Sequence, residues 1–127
     1  MEINTVSSRD YQVIESYGSQ GFRVSGQRFA GPILVLPRRT VAWPVSDPAS
    51  IVIDSLAGVV DEDPRVEVML LGTGARMIML DGALRAGLRQ AYGFSLEMMD
   101  TGAACRTYNV LLAEGRPVAA ALFPVER

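Results

Sequence analysis

Two short runs of the sequence combine residue types that could bind a small anion. Residues 72–74, Gly-Thr-Gly, follow an apolar run that predicts a strand. Residues 100–106 lie where a strand pattern ends and a helix begins, and the first amides of a helix lack intrahelical partners. If the two strands are parallel neighbours, both loops emerge at the sheet edge where open α/β folds bind ligands. We therefore predict an anion or small-ligand site made of Gly72, Thr73, Gly74, Arg76, Thr101, Gly102, Ala103 and Arg106.

A purely structural interpretation of the same residues stays open. The glycines lack the spacing of a dinucleotide-binding or P-loop motif, and a tight turn explains them equally. Asp100 or Thr101 has sufficient reason to be present as the N-cap of the following helix. Cys105 lies where a helix dipole would activate a thiol, but a buried cysteine acting as a small apolar side chain is the simpler interpretation.

The composition excludes most catalytic chemistry. The 127 residues include no histidine, no lysine and a single cysteine, which removes Ser-His-Asp triads, histidine-based zinc sites, Schiff bases and internal disulfides. The acidic run 61–63 lacks the spacing of a calcium loop and predicts a solvated turn. We predict no catalytic residue, no metal site and no cofactor.

The charge and hydropathy patterns limit the partners and the location. Fourteen acidic residues against twelve basic ones, all arginine, give a net charge of −2 and no case for nucleic acid or an anionic membrane. No apolar run approaches the ~20 residues of a membrane span, and the first residues do not resemble a signal peptide. The expectation is a cytoplasmic protein without membrane insertion.

The periodicity predicts one domain over residues 10–127, preceded by a flexible arm at 1–9. Alternating apolar residues between 11 and 24 predict an antiparallel hairpin, and residues 33–36 and 41–43 predict two further strands. Asp47-Pro48 predicts the start of a helix with a buried stripe from Ala49 to Val60. From there, helices and strands alternate, which is typical of an α/β fold with strands buried between helices.

Several short motifs, which individually are common, occur together and in order. They are Gly21-Phe22-Arg23-Val24, Gly31-Pro32-Ile33-Leu34, Leu71-Gly72-Thr73-Gly74, Glu97-Met98-Met99-Asp100-Thr101, Ala104, Thr107-Tyr108-Asn109, Glu114-Gly115-Arg116 and Ala121-Leu122-Phe123-Pro124. In this combination the chain resembles the Mth938-like domain family of unknown function. That family includes a mitochondrial assembly factor of respiratory complex I and an adipogenesis-associated protein.

The resemblance implies a three-layer α/β fold with a central mixed, mostly parallel sheet flanked by helices, plus the N-terminal antiparallel portion. It also implies a factor that acts through contacts with unidentified protein partners, in assembly or biogenesis of a membrane-bound respiratory complex. The lack of histidine, lysine and paired reactive groups favours a non-enzymatic role. The alternative is a protein, or an enzyme, that binds a small anion or small molecule through residues 72–76 and 100–106.

Overall fold

The computed structural model describes residues 11–125, so the arm predicted at 1–9 lies outside the described residues. The described chain forms two β-sheets, two α-helices and two short 3₁₀ helices. The strands are β1 (Ile14–Gly18), β2 (Gly21–Val24), β3 (Gln27–Phe29), β4 (Ile33–Val35), β5 (Thr40–Ala42), β6 (Val68–Gly72), β7 (Ser95–Met99) and β8 (Val118–Leu122). The helices are α1 (Gly82–Tyr92) and α2 (Thr101–Ala113).

The strands form one small antiparallel sheet and one larger mixed sheet. The small sheet has the order β1-β2-β3, and the larger sheet has the order β5-β4-β8-β6-β7. Strand β4 pairs antiparallel with both β5 and β8, whereas β6 pairs parallel with both β8 and β7. The predicted mixed sheet and N-terminal antiparallel portion are therefore confirmed, but the larger sheet is not mostly parallel, because two of its four strand pairs, those of β4, are antiparallel.

The central strands β6 and β8 bury side chains on both faces of the sheet. Met69 and Leu71 of β6 join one apolar cluster, and Leu70 between them joins the other. In β8, Ala121 joins the first cluster and Leu122 joins the second. Because successive residues of a strand point to opposite faces, such a strand needs a covering layer on each side.

Each face of the larger sheet is covered by a different set of elements. On the first face, Leu88 of α1 packs in one cluster with Leu56 of a 3₁₀ helix. On the second face, Tyr108 of α2 packs in one cluster with Ile14 and Phe22 of the small sheet. This arrangement confirms the expected three-layer α/β fold.

The continuous helix predicted from Asp47 is wrong. The structure has two 3₁₀ helices there, Pro48–Ser50 and Ile53–Val59, and Asp47 makes no side-chain cap bond to the backbone. Between them Val52 is extended, with φ −127° and ψ 174°, and its N–H donates to the hydroxyl of Ser55 at 2.9 Å. Three consecutive β-branched residues favour an extended backbone, which interrupts the helical period.

The sequence predicts that α1 begins at the cap Asp81 and ends at Gly93, and that α2 begins at Asp100 or Thr101 and ends at Gly115. The carboxylate of Asp81 accepts a hydrogen bond from Ala83 at the start of α1, and Gly93 ends that helix with φ +77°. Asp100 caps α2, and Gly115 follows it with φ +78°. These cap predictions are confirmed.

The sequence predicts Leu84, Leu88 and Ala91 as the buried stripe of α1, and the structure differs at one of these residues. Leu84 and Leu88 pack against the sheet as expected, but Ala91 is exposed. Tyr92 takes its place, because the spacing of four residues from Leu88 keeps it on the same side of the helix.

Candidate functional site

The two loops predicted to form a binding edge lie side by side at the carboxyl ends of β6 and β7. The N–H of Thr73 donates to the carbonyl of Met99 at 3.0 Å. The N–H of Thr101 donates to the carbonyl of Gly74 at 2.8 Å. The structure thus brings residues 72–74 and the start of α2 into direct contact.

Thr101 ties three chain segments together at this edge. Its hydroxyl donates to the carbonyl of Phe123 at 2.6 Å and accepts from the N–H of Gly74 at 2.8 Å. The residue has no exposed surface. Gly72 fits against it closely, since a Cβ on Gly72 would lie 3.0 Å from the Cα of Thr101. The sequence alone did not indicate this role, because the partners lie 27 and 22 residues away along the chain.

Thr73 organises the loop that leaves the edge. Its hydroxyl donates to the carbonyl of Arg76 at 2.6 Å and accepts from the N–H of Ile78 at 2.9 Å. With 4% of its surface exposed, Thr73 lies inside the loop and not on its outer side. Its short bonds fix the backbone over residues 74–78.

Several amide donors at this edge, those of Thr73, Gly74, Thr101 and Ala103, have partners within the protein. The amides of Gly74 and Thr101 bond to each other's segments, and the amide of Ala103 donates to the Asp100 carboxylate at 2.8 Å. Gly102 is buried, and a Cβ there would lie 2.7 Å from the hydroxyl oxygen of Tyr17. Binding of a small anion at these loops stays a prediction, and an anion would have to compete with these internal acceptors.

The two arginines assigned to the same site have exposed side chains. Arg76 contributes its backbone carbonyl to the Thr73 hydroxyl. Arg106 is turned toward the small sheet, where its Nη1 donates to the hydroxyl of Tyr17 at 3.5 Å. Arg106 is therefore engaged with β1 in this structure.

An apolar groove borders the same edge, on the side of α1. Met77, Ile78 and Met79 are exposed in a loop without regular structure, although apolar runs of this kind usually become buried. Ile78 and Met79 line a groove of about 510 Å³. Its other walls are formed by Asp47, Pro48, Ala49, Ile51, Leu80, Asp81 and Leu84. The sequence shows the run of large apolar side chains, but not that it remains on the surface.

The family described as "Protein of unknown function (DUF498/DUF598)" matches residues 14–123, which span both sheets and both α-helices. The chain belongs to the DUF498 family. The solution structure of a Bordetella pertussis protein, a Mth938-like domain, agrees with this assignment. It has a TM-score of 0.76 and is 33% identical, covering 91% of this chain and 87% of that one. The Mth938-like resemblance is therefore confirmed.

Two further relatives of this DUF498 chain are informative. NADH dehydrogenase [ubiquinone] 1 alpha subcomplex assembly factor 3 of Xenopus tropicalis is 38% identical over 117 residues, or 92% of this chain. The chain spans only 63% of that relative's length. The crystal structure of an outer membrane protein from Bartonella henselae has a TM-score of 0.80 and 38% identity, covering 93% of this chain and 98% of that one.

The helices of the DUF498 domain are short. Among residues 11–125, no helix combines the length and the apolar character that crossing a bilayer requires.

The single thiol of the DUF498 domain is buried against the second face of the sheet. Burial raises the pKa of Cys105 to about 12; the nearby guanidinium of Arg106 opposes this rise and the carboxylate of Asp100 adds to it. The dipole at the start of α2 does not produce a reactive thiolate, because desolvation dominates. This favours the interpretation of Cys105 as a small apolar side chain.

The raised pKa of Cys105 predicts a loss of stability at alkaline pH. In the unfolded chain the thiol ionises from about pH 9.0, whereas in the folded protein it stays protonated to about pH 12. Its contribution to the free energy of unfolding is therefore complete below pH 9 and decreases as the pH rises toward 12, by at most about 1.4 kcal/mol per pH unit. Chemical denaturation across this range should show a shallower pH slope for Cys105→Ala than for the parent protein. Equal slopes would contradict the assignment.

Proposed function

We propose that this chain is a protein-interaction factor that assists the assembly of a membrane-bound respiratory complex. The observation that carries the proposal is the 38% identity with assembly factor 3 over 92% of the chain. The match includes both layers that cover the sheet, so the shared part is a whole folded unit and not one motif.

The character of the titratable groups supports an interaction factor. Burial raises the pKa of Cys105, Tyr92 and Tyr108, which moves these groups, already uncharged at neutral pH, further from the range in which a general acid or base works. A general acid or base works best when its pKa lies near the working pH. The surface instead offers three consecutive exposed apolar side chains, a feature typical of contact with another protein.

On this proposal the chain acts in the cytoplasm, where it contacts subunits of the complex before or during their assembly. The net charge of −2 gives little attraction to anionic lipid, so recognition of the subunits themselves must supply the binding energy.

Deletion of the gene in its source cell tests the proposed function. We expect membranes of the deletion strain to lose most NADH-dependent quinone reduction, with the intact complex reduced to the same extent on native gels. Succinate-dependent quinone reduction serves as the control and should not change. Re-expression of the chain should restore the lost activity. Unchanged NADH-dependent activity in the deletion strain would overturn the proposal.

A further inference from the structure

The loop between β6 and α1 carries a contiguous apolar surface. Met77, Ile78 and Met79 are 49%, 46% and 55% exposed. Single exposed apolar residues are ordinary, but three in succession form a patch of the kind that marks a binding surface. Methionine side chains are flexible and polarisable, which suits them to contact with a partner.

Hydrogen bonds fix the backbone within this patch and directly after it. The N–H of Ile78 donates to the buried hydroxyl of Thr73 at 2.9 Å. The N–H of Leu80 donates to the sulfur of Met98 at 3.4 Å, and the Leu80 side chain is buried in the core. The side chains of residues 77–79 are thus held outward by an ordered loop.

The patch continues into the groove described above, whose walls carry two carboxylates. Asp81 uses one oxygen to cap α1, and Asp47 accepts a bond from Ser50 at 3.4 Å. Within residues 11–125, the ion pairs lie elsewhere, at Arg23–Glu15 and Arg39–Glu62. The lining of the groove is therefore mostly apolar, and its two exposed carboxylates form no ion pair among residues 11–125.

One arginine lies at the margin of the groove. The Nε of Arg85 donates to the carbonyl of Leu80 at 3.1 Å, so this guanidinium is bonded to the backbone. No ion pair joins it to Asp81 in the part of the chain that the structure describes. The carboxylates of Asp47 and Asp81 remain available to a cation from outside.

We propose that the groove lined by Asp47, Asp81, Ile78 and Met79, together with the adjoining Met77, docks an apolar segment of a partner protein that carries arginine or lysine beside its apolar side chains. The apolar residues that line the groove contact the apolar side chains of the partner segment, and the two carboxylates favour a segment with a neighbouring positive charge. This inference rests on the proposed function and adds to it the chemistry of the partner and the surface that receives it.

Synthetic peptides test the chemistry of the groove. The probe is a short peptide of alternating leucine and alanine between two terminal arginines, and the comparison probe has glutamates in place of the arginines. With the methionine methyl groups ¹³C-labelled in the full chain, the basic peptide should shift the signals of Met77 and Met79. Met79→Ser should weaken binding about tenfold. Val110→Ser is the matched control, because Val110 is also 55% exposed but lies on α2, and it should bind as the parent does.

The role of charge is tested by Asp47→Asn and Asp81→Asn. Each substitution should weaken binding of the basic peptide about fivefold. Asparagine retains the capping ability of Asp81, so α1 should keep its stability. Absence of methyl shifts with the basic peptide, or equal affinity for the acidic peptide, would overturn the proposal. Concentration-dependent self-association that Met79→Ser abolishes would identify a second copy as the occupant and would also overturn it.

Expression of Met79→Ser in the deletion strain separates this inference from the proposed function. If the parent chain restores NADH-dependent activity and Met79→Ser does not, the result supports both the assembly role and the groove proposal. If both restore it fully, the groove proposal fails while the assembly role stands. If the deletion strain shows no defect, the assembly role fails, and the peptide measurements decide the groove on their own.

Discussion

Replacing Thr101 by valine is expected to lower the free energy of unfolding by about 2–4 kcal/mol. Valine has nearly the shape of threonine, so the change removes the hydroxyl and leaves the packing intact. The N–H of Gly74 then loses its acceptor and the carbonyl of Phe123 loses its donor, at a site without exposed surface. Leaving two buried polar groups unpaired costs far more than the net gain of an ordinary hydrogen bond.

Urea denaturation of Thr101→Val against Thr107→Val measures this effect. Thr107 lies in the same helix and is half-buried, so its substitution controls for the change in helix propensity and should cost less than about 0.5 kcal/mol. Equal losses for the two variants would show that the hydroxyl of Thr101 does not hold the three segments together.

The sequence predicts those parts of the fold that are determined by neighbouring residues. Asp81 and Gly93 mark the ends of α1 because a cap needs only a side chain and a backbone conformation within one turn. The unbroken apolar run at residues 33–36 predicts the strand β4, buried on both faces, for a similarly local reason. These features, with the resemblance, were sufficient to predict the three layers.

The failures arise where distant contacts compete with local pattern. The apolar spacing between Ala49 and Val60 favours a helix, but Val52 is extended and 58% exposed. The run 77–79 is also apolar, yet hydrogen bonds from Ile78 to Thr73 and from the adjoining Leu80 to Met98 hold its backbone at the surface, which the sequence does not indicate. A single sequence does not indicate which of its apolar runs remain exposed.

The candidate site illustrates the same limit. That residues 72–74 and 100–106 would meet followed from the assumption that β6 and β7 are parallel neighbours, and the structure has this pairing. That their amides would bond to one another depends on side-chain rotamers at Thr101 and Thr73, which periodicity does not specify. The sequence therefore predicts that the two loops lie close together. It does not predict that several of their N–H groups bond to acceptors within the protein.

The second large effect is expected at Tyr108, where replacement by alanine should lower the free energy of unfolding by about 3–5 kcal/mol. The ring is fully buried among residues of α2, the small sheet and the larger sheet, so its removal leaves a cavity where three elements meet. Its hydroxyl also donates to the carbonyl of Gln12 at 2.8 Å, just before β1 begins. Tyr108→Ala should therefore loosen the small sheet as well as the core.

Comparison with Tyr108→Phe separates packing from hydrogen bonding. Phenylalanine keeps the ring and removes only the bond to Gln12, so it should cost about 1 kcal/mol. Asn109 continues to hold β1 in that variant, because its side chain bonds to the N–H and the carbonyl of Ile14 at 3.1 and 2.8 Å. If Tyr108→Phe proves as damaging as Tyr108→Ala in urea denaturation, attachment of β1 depends on the hydroxyl and the packing argument is wrong. A small loss for phenylalanine with a large one for alanine means that the buried ring holds the two sheets against α2.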